Sequence, residues 1–292
     1  MAEARGDIAW LSGTYLPKDE AHLSLEDRGA MFADGVYEVV RAFGGRLFEA
    51  EAHHNRLCQS MAGIGMATGP HSDELVAVSE ELLGRNGLRD AQVYWQVTRG
   101  ASVRSHIFDA QLSPTVFAIA YPAPALEAMP QDKPLPAVTA EDERWTNCWI
   151  KSLMLLPSTL ARTRAAEQGA TEAILHRDGI VTEGATSNVF IVRGGQVVTR
   201  AADRFILNGI TRRVLVDIAT RAGRRVEQRT FTLEELREAD EVFIASTTRN
   251  VLPIGSVDGQ PIGSGEVGPI TRVLQRAFVE LIEARCGVGA AG

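Results

Sequence analysis

The stretch EAILHRDGIVTEGATSNVF, residues 172–190, holds the pattern from which the architecture follows. From Ala173 to Ile191 short apolar runs are broken at Arg177-Asp178-Gly179, a sequence that tolerates positive φ, so the segment reads as consecutive strands joined by a tight turn. Upstream, Ser152 to Gln168 reads as a helix closed by Gly169, whose missing Cβ suits a left-handed cap. Downstream, Ile210 to Ala222 reads as a helix closed by Gly223. Thr232 to Glu235 has the capping-box spacing of a short helix, Glu241 to Ser246 reads as a strand, and a final amphipathic helix is predicted near Ile270 to Cys286.

Working back towards the N-terminus, Tyr121 to Pro136 (YPAPALEAMPQDKPLP) carries five prolines. Each removes a backbone donor and fixes φ, so the segment is predicted to be a linker, not a strand or long helix. Before it, Ala91 to Arg99 alternates Val93, Trp95 and Val97 with Tyr94, Gln96 and Thr98, the signature of a half-buried strand, and Thr115 to Ala120 reads as a second strand. Apolar residues recur at helical spacing between Glu51 and Ile64 (Leu57, Met61, Ile64) and between Asp73 and Leu83 (Leu75, Val78, Leu82). The expected organisation is α+β: a small N-terminal unit over 1–120, a linker over 121–136 and a larger strand-rich unit over 137–292.

Composition narrows the function classes. With 45% hydrophobic and 23% charged residues the chain is an ordinary folded protein, and a net charge of −7 gives no electrostatic reason to bind nucleic acid. No apolar run approaches the roughly 20 residues that cross a bilayer, and MAEARGDIAW lacks the order of a signal peptide, so a cytoplasmic protein without membrane contact is expected. Cys58, Cys148 and Cys286 are far apart and lack metal-ligand spacing; they are read as free thiols, with no metal site.

Lysine usage is the most informative feature. Lys18, Lys133 and Lys151 are the only three lysines. The first two sit in polar, proline-flanked segments, whereas Lys151 lies in WIKSLMLL and is predicted to be buried. A desolvated amine tends to lose its proton and becomes the nucleophile that condenses with an aldehyde; the plainer alternative is a stem covering apolar surface with its head in water. Glu183, between a strand and a turn, is placed to meet a protonated ring nitrogen, or is a solvated turn residue. Leu207-Asn208-Gly209-Ile210-Thr211 leads into a helix whose first N–H groups suit a phosphate, although Asn208 as a simple N-cap explains it equally well. Ser246 and Thr247, ending a strand, offer further donors, or form a turn. Arg56 is either a phosphate ligand or a surface salt-bridge partner. Tyr37, in the predicted strand from Phe32 to Val40, faces a cleft or a strand edge. Arg104 and His106 share an exposed loop that either clamps a carboxylate or is solvated.

Six blocks in order, DRGAMFADGVYEVVRAFGGRLFEAEAHHNRL, QVTRGASVRSHIF, RWTNCWIKSLMLLPSTLA, EAILHRDGIVTEGATSNVF, LNGITRRV and ASTTRNVLPI, resemble the class IV (fold type IV) pyridoxal-phosphate aminotransferases, and within them the bacterial D-amino-acid transaminases. The likeness runs from about Trp10 to about Arg285. It implies an α+β two-domain fold, a smaller N-terminal α/β sandwich and a larger C-terminal pseudo-barrel, with pyridoxal 5'-phosphate in the cleft between them. It implies ping-pong transfer of an amino group between a D-amino acid such as D-alanine and a 2-oxo acid such as 2-oxoglutarate. Residue by residue, it makes Lys151 the Schiff-base lysine and proton shuttle, and Glu183 the partner of the pyridine nitrogen. Arg56, Gly209 with the Ile210 and Thr211 amides, Ser246 and Thr247 would hold the phosphate, and Leu207 would pack on the ring. Tyr37, Arg104 and His106 would bind the α-carboxylate, the last two reaching across a homodimer interface. The family often has Asn where this chain has Met154. Branched-chain L-amino-acid transaminases, (R)-amine transaminases and 4-amino-4-deoxychorismate lyases share the cofactor set and are the alternatives; a non-enzymatic relative that keeps the fold is the alternative outside catalysis.

Overall fold

A computed structural model describes residues 7–67, 69–129 and 132–288. The chain divides into two compact units, Met1–Ala128 with Ile150–Met154 and Ile282–Gly292, and Met129–Trp149 with Leu155–Leu281.

In the first unit the elements run β1 (Ile8–Leu11), β2 (Thr14–Pro17), α1 (Arg28–Phe32), β3 (Gly35–Phe43), β4 (Arg46–Leu47), α2 (Ala50–Gly63), α3 (Ser72–Arg85), β5 (Ala91–Thr98) and β6 (Thr115–Pro122). The strands form one sheet in the order β2-β1-β6-β5-β3-β4, every pairing antiparallel. The predicted alternation in β5 holds as far as Val97: Val93, Trp95 and Val97 are wholly buried while Tyr94 and Gln96 are half-buried, but Thr98 is buried too, its hydroxyl donating to Asp27 Oδ2 at 2.9 Å. Trp95 can be buried because its Nε1 donates to Ser79 Oγ at 2.8 Å, and that hydroxyl in turn donates to Leu75 O. The apolar stripes of α2 (Leu57, Met61) and α3 (Leu75, Val78, Leu82) are buried, with α2 on β3 and α3 on β6 and β1.

The second unit contains β7 (Leu135–Glu141), α4 (Leu156–Glu167), β8 (Glu172–Arg177), β9 (Ile180–Gly184), β10 (Asn188–Arg193), β11 (Gln196–Thr199), α5 (Ile210–Arg221), β12 (Val226–Gln228), α6 (Leu233–Arg237), β13 (Glu241–Ser246), β14 (Asn250–Val257) and β15 (Gln260–Pro261). The helix α7 (Pro269–Cys286) is the last element. The sheet of this unit runs β12-β11-β10-β13-β14-β7-β8-β9, with β15 on β14. The predicted turn joins β8 to β9, with Asp178 at φ 49° and Gly179 at φ 77°. The core collects alternate residues of neighbouring strands, Val189 and Ile191, Val242 and Ile244, Leu252 and Ile254. On the other face Phe190 and Phe243 stack with centroids 4.8 Å apart.

Four local expectations change. The helix expected from Ser152 starts at Leu156, because Ser152 bridges Val36 and Leu153 N donates to Gly35 O, while Pro157 occupies the first turn, where no N–H is needed. The strand expected from Phe32 starts at Gly35; Phe32 closes α1, whose cap Ala33 adopts φ 54°. The proline-rich segment is shorter than expected, since Tyr121 and Pro122 pair with β5 and Leu135 and Pro136 pair with β14. Prolines are tolerated there at strand ends. Pro130 and Gln131 of that segment lie outside the described residues. Finally, α5 is capped by Gly209, not Asn208, whose Oδ1 accepts from Arg212 Nη1 at 3.2 Å. No helix among the described residues is long and apolar enough to cross a membrane.

Candidate active site

Lys151 belongs to the first unit, on an irregular segment sewn to β3. Its carbonyl accepts from Tyr37 N at 3.0 Å, and its own N–H donates to Ser60 Oγ on α2 at 3.0 Å. These bonds replace the helical ladder expected just beyond it. Lys151 is half-buried and not sealed off, and Lys18 is half-buried too, so burial does not single Lys151 out as expected. The reason lies in its neighbours: Trp149, Met154, Leu155 and Leu156 turn outward, and Leu156 is 68% exposed. Lys151 Nζ lies 4.2 Å from the ring centroid of Tyr37, but Lys18 Nζ likewise lies 4.9 Å from that of Tyr121, so what sets Lys151 apart is the anchoring of its backbone to β3 and α2. Tyr37 in turn stacks on Tyr94 at 5.5 Å.

Adjacent to Tyr37, Glu38 is completely buried. It accepts from Arg56 Nε at 2.7 Å and Nη2 at 2.8 Å, and from His53 Nδ1 at 2.8 Å. Burial opposes its charge, yet Arg56 and His53 hold the carboxyl well below its ordinary range. Burial pushes His53 below its usual value despite Glu38, so the imidazole is neutral and donates through Nδ1–H. Arg56, read from sequence as a phosphate ligand or a surface partner, is therefore 7% exposed and oriented by a bidentate pair. Sequence reasoning missed Glu38 and His53; the spacing of His53 and Arg56 on one helix face is the one local sign of a shared partner.

In the second unit, Glu183 leaves β9 with its carboxylate saturated by donors. Arg144 Nη1 donates to Oε1 at 2.7 Å, Asn188 Nδ2 to Oε2 at 2.9 Å, and Leu207 N to both oxygens at 3.1 and 3.0 Å. Burial pushes this carboxyl upward, against the pull of Arg144 and the Leu207 amide. Arg144 also grips Asp142 through Nε at 2.8 Å and Nη2 at 2.9 Å. Burial alone would raise the Asp142 carboxyl, but Arg144 and Arg177 hold it below its ordinary value. Beside this network burial pushes the Cys148 thiol up to about 11, which keeps it protonated and unreactive at neutral pH. Cys58, Cys148 and Cys286 are all free.

Asn188 also donates to Leu207 O at 2.9 Å, so the same amide fixes Glu183 and the residue that leads into α5. Gly209 then approaches so closely that a Cβ there would lie 2.1 Å from Asn188 Oδ1. Its φ of −58° is open to any residue, so the glycine is required by space and not by backbone conformation. The N-terminus of α5 is buried, with Ile210 3% and Thr211 5% exposed, and has no side-chain cap. Uncapped amides at the positive end of a helix suit an anion. Ser246 and Thr247 sit half-buried where β13 turns into β14.

Arg104 and His106 lie on the exposed loop between β5 and β6. Arg104 Cζ is 5.4 Å from the Phe32 ring centroid, and the His106 ring meets Phe32 edge-on at 5.5 Å. Among the described residues no group of three or more His, Cys, Asp or Glu side chains is arranged to hold a metal ion.

A sequence profile of the amino-transferase class IV family matches residues 35–257. A D-alanine aminotransferase of Staphylococcus haemolyticus is 40% identical over 279 residues, 94% of this chain and 98% of that protein. One from Listeria monocytogenes is 44% identical over 273 residues, 92% and 94% of the two chains. Among solved structures, the branched-chain amino acid aminotransferase from Escherichia coli matches with a TM-score of 0.86 at 26% identity, covering 95% of this chain and 94% of that one.

Proposed function

The chain belongs to the class IV aminotransferases, with their fold type IV α+β architecture, and from that membership we propose that it is a pyridoxal 5'-phosphate enzyme moving the amino group of a D-amino acid, such as D-alanine, to a 2-oxo acid, such as 2-oxoglutarate. The observation that carries the D-amino-acid reading is identity of 40% and 44% across nearly the whole chain to proteins named D-alanine aminotransferase.

Each unit, taken by itself, offers donors that suit such a cofactor. The uncapped, buried α5 amides of Ile210 and Thr211, backed by Gly209, suit a phosphate, and Ser246, Thr247 and the fixed guanidinium of Arg56 are further donors for it. Glu183 suits a protonated pyridine nitrogen, and the half-buried Leu207 suits the ring face. When bound, pyridoxal phosphate supplies an aldehyde carbon and a cationic ring that takes up the electron pair left by the breaking Cα–H bond. Lys151 Nζ is the amine that carries the cofactor and moves the substrate α-proton. The Tyr37 ring holds that amine by its face. Glu183, supported by Arg144, Asn188 and the Leu207 amide, is the carboxylate that would hold the ring proton. Tyr37, Arg104 and His106 bind the α-carboxylate and so select the enantiomer.

A homodimer completes the reading, with Arg104 and His106 contributed across the interface. In its support, the apolar side chains of Leu25, Val103 and Ile107 are 92%, 79% and 86% exposed, the last two on the same loop as Arg104 and His106. The test of function is stereochemical. With racemic alanine and 2-oxoglutarate the enzyme consumes D-alanine and forms pyruvate while L-alanine remains. Equal loss of both enantiomers, or loss of L-alanine alone, contradicts the proposal.

A further inference from the structure

The loop that bears Arg104 and His106 has little secondary structure of its own, yet it is held from one side by buried charge. Arg28, 3% exposed, begins α1 and points into the loop, donating from Nη1 to Ser105 O at 2.7 Å. Ser105 is the residue between the two proposed carboxylate ligands. The Nε of Arg28 donates to Asp34 Oδ2 at 2.7 Å. Asp34 also accepts from Arg99 Nε, at 3.0 Å on Oδ1 and 2.9 Å on Oδ2, and Arg99 Nη2 reaches Ile64 O at 2.6 Å. Backbone bonds extend the attachment: Arg28 N donates to Gly100 O at 2.9 Å and Ser102 N to Glu26 O at 3.1 Å. The Arg28 guanidinium also lies 4.6 Å from the centroid of Phe32, the ring that touches both Arg104 and His106.

We infer that Arg28, itself held by Asp34, is a positioning residue for the substrate carboxylate: by fixing the Ser105 carbonyl and the Phe32 ring it sets where the Arg104 guanidinium and the His106 imidazole stand. The inference rests on the reading that Arg104 and His106 bind that carboxylate. Its physical basis is preorganisation. A carboxylate clamp on an unanchored loop must be ordered at each binding event, whereas this one is ordered by a buried ion pair before substrate arrives. Arginine is required because its planar fork serves Asp34 and the Ser105 carbonyl at once, which a lysine ammonium on a different stem does not reproduce. The side chain is not needed for charge balance alone, since Asp34 keeps Arg99.

The test is a double-mutant cycle on the holoenzyme with Arg28→Lys and Arg104→Ala. Arg28→Lys alone is expected to raise KM for D-alanine about tenfold with kcat changed less than about twofold. Affinity for pyridoxal phosphate, read by absorbance titration, stays within about twofold. In the Arg104→Ala background the same substitution adds less than about twofold to KM, because the residue through which it acts is gone. An equal rise in both backgrounds, a fall in kcat with KM unchanged, or loss of cofactor affinity overturns the positioning role. Hydrogen exchange of residues 102–108, expected to quicken in Arg28→Lys, measures the anchor directly; unchanged exchange also overturns it. If Arg104→Ala by itself leaves KM for D-alanine unchanged, the carboxylate reading of the loop has failed and the positioning role falls with it, even where exchange shows the anchor intact. Should Arg28→Lys fold poorly, Phe32→Leu removes the shared ring without touching the ion pair and is expected to raise the same KM; no change there contradicts the inference.

Discussion

Lys151 and Tyr37 are joined twice, through a 3.0 Å bond from Tyr37 N to Lys151 O and through the ring of Tyr37, which stands 4.2 Å from Lys151 Nζ. The backbone bond fixes the base of the lysine and the ring steers its tip, so a flexible four-carbon stem is presented with its amine in one place. Replacing the side chain leaves the backbone bond untouched. Lys151→Ala is therefore expected to abolish turnover, by at least about 10³-fold, the scale of a lost general base and nucleophile. Its thermal unfolding midpoint should remain close to that of the parent. Steady-state assay with D-alanine and a melting curve check both halves; residual turnover near the parental rate defeats the assignment.

Gly209→Ala tests the support of Glu183 from a distance. The new Cβ would fall 2.1 Å from Asn188 Oδ1, and Asn188 donates to both Glu183 and Leu207. The amide must move, leaving Glu183 with fewer donors and shifting the start of α5. A loss of roughly 1–3 kcal/mol of stability is expected from the overpacking, together with weaker binding of pyridoxal phosphate. Urea unfolding and absorbance titration measure the two; unchanged cofactor affinity contradicts the proposed phosphate site at α5.

Acid stability should depend on Glu38. Its folded-state carboxyl is held below its ordinary value of 4.5, so the stabilisation from its pairs with Arg56 and His53 is fully present above that pH and is lost as pH falls through the lower, folded value. Asp34 and Asp142 shift in the same direction. Glu38→Gln should cost about 3–5 kcal/mol near neutral pH, since it leaves a buried guanidinium without its anion. It should also make stability fall less steeply below pH 4.5. Urea denaturation at a series of pH values compares the slopes; parallel curves for the two proteins contradict the role given to Glu38.

What could be read from the chain in advance was what local geometry encodes. The Asp178-Gly179 turn, the Thr232–Glu235 capping box and the β5 alternation as far as Val97 each depend on residues a few positions apart, and each is present. The networks that give the candidate site its electrostatics depend on distant pairs. Glu38 meets Arg56 eighteen positions on, and Arg144 meets Glu183 across thirty-nine. No periodicity reports such pairings, so Arg56 was legible as a charge of interest but not as one oriented by Glu38. The start of α4 misled for a related reason: Ser152 and Leu153 have helical neighbours in sequence but spend their hydrogen bonds on β3. Local propensity yields there to a tertiary contact that also fixes Lys151.

The most direct measurement of the central claim is chemical trapping. Holoenzyme treated with borohydride, digested and mapped by mass spectrometry should carry its pyridoxyl-phosphate adduct on the peptide containing Lys151 and on no other. An adduct on Lys18 or Lys133, or none at all, contradicts the account.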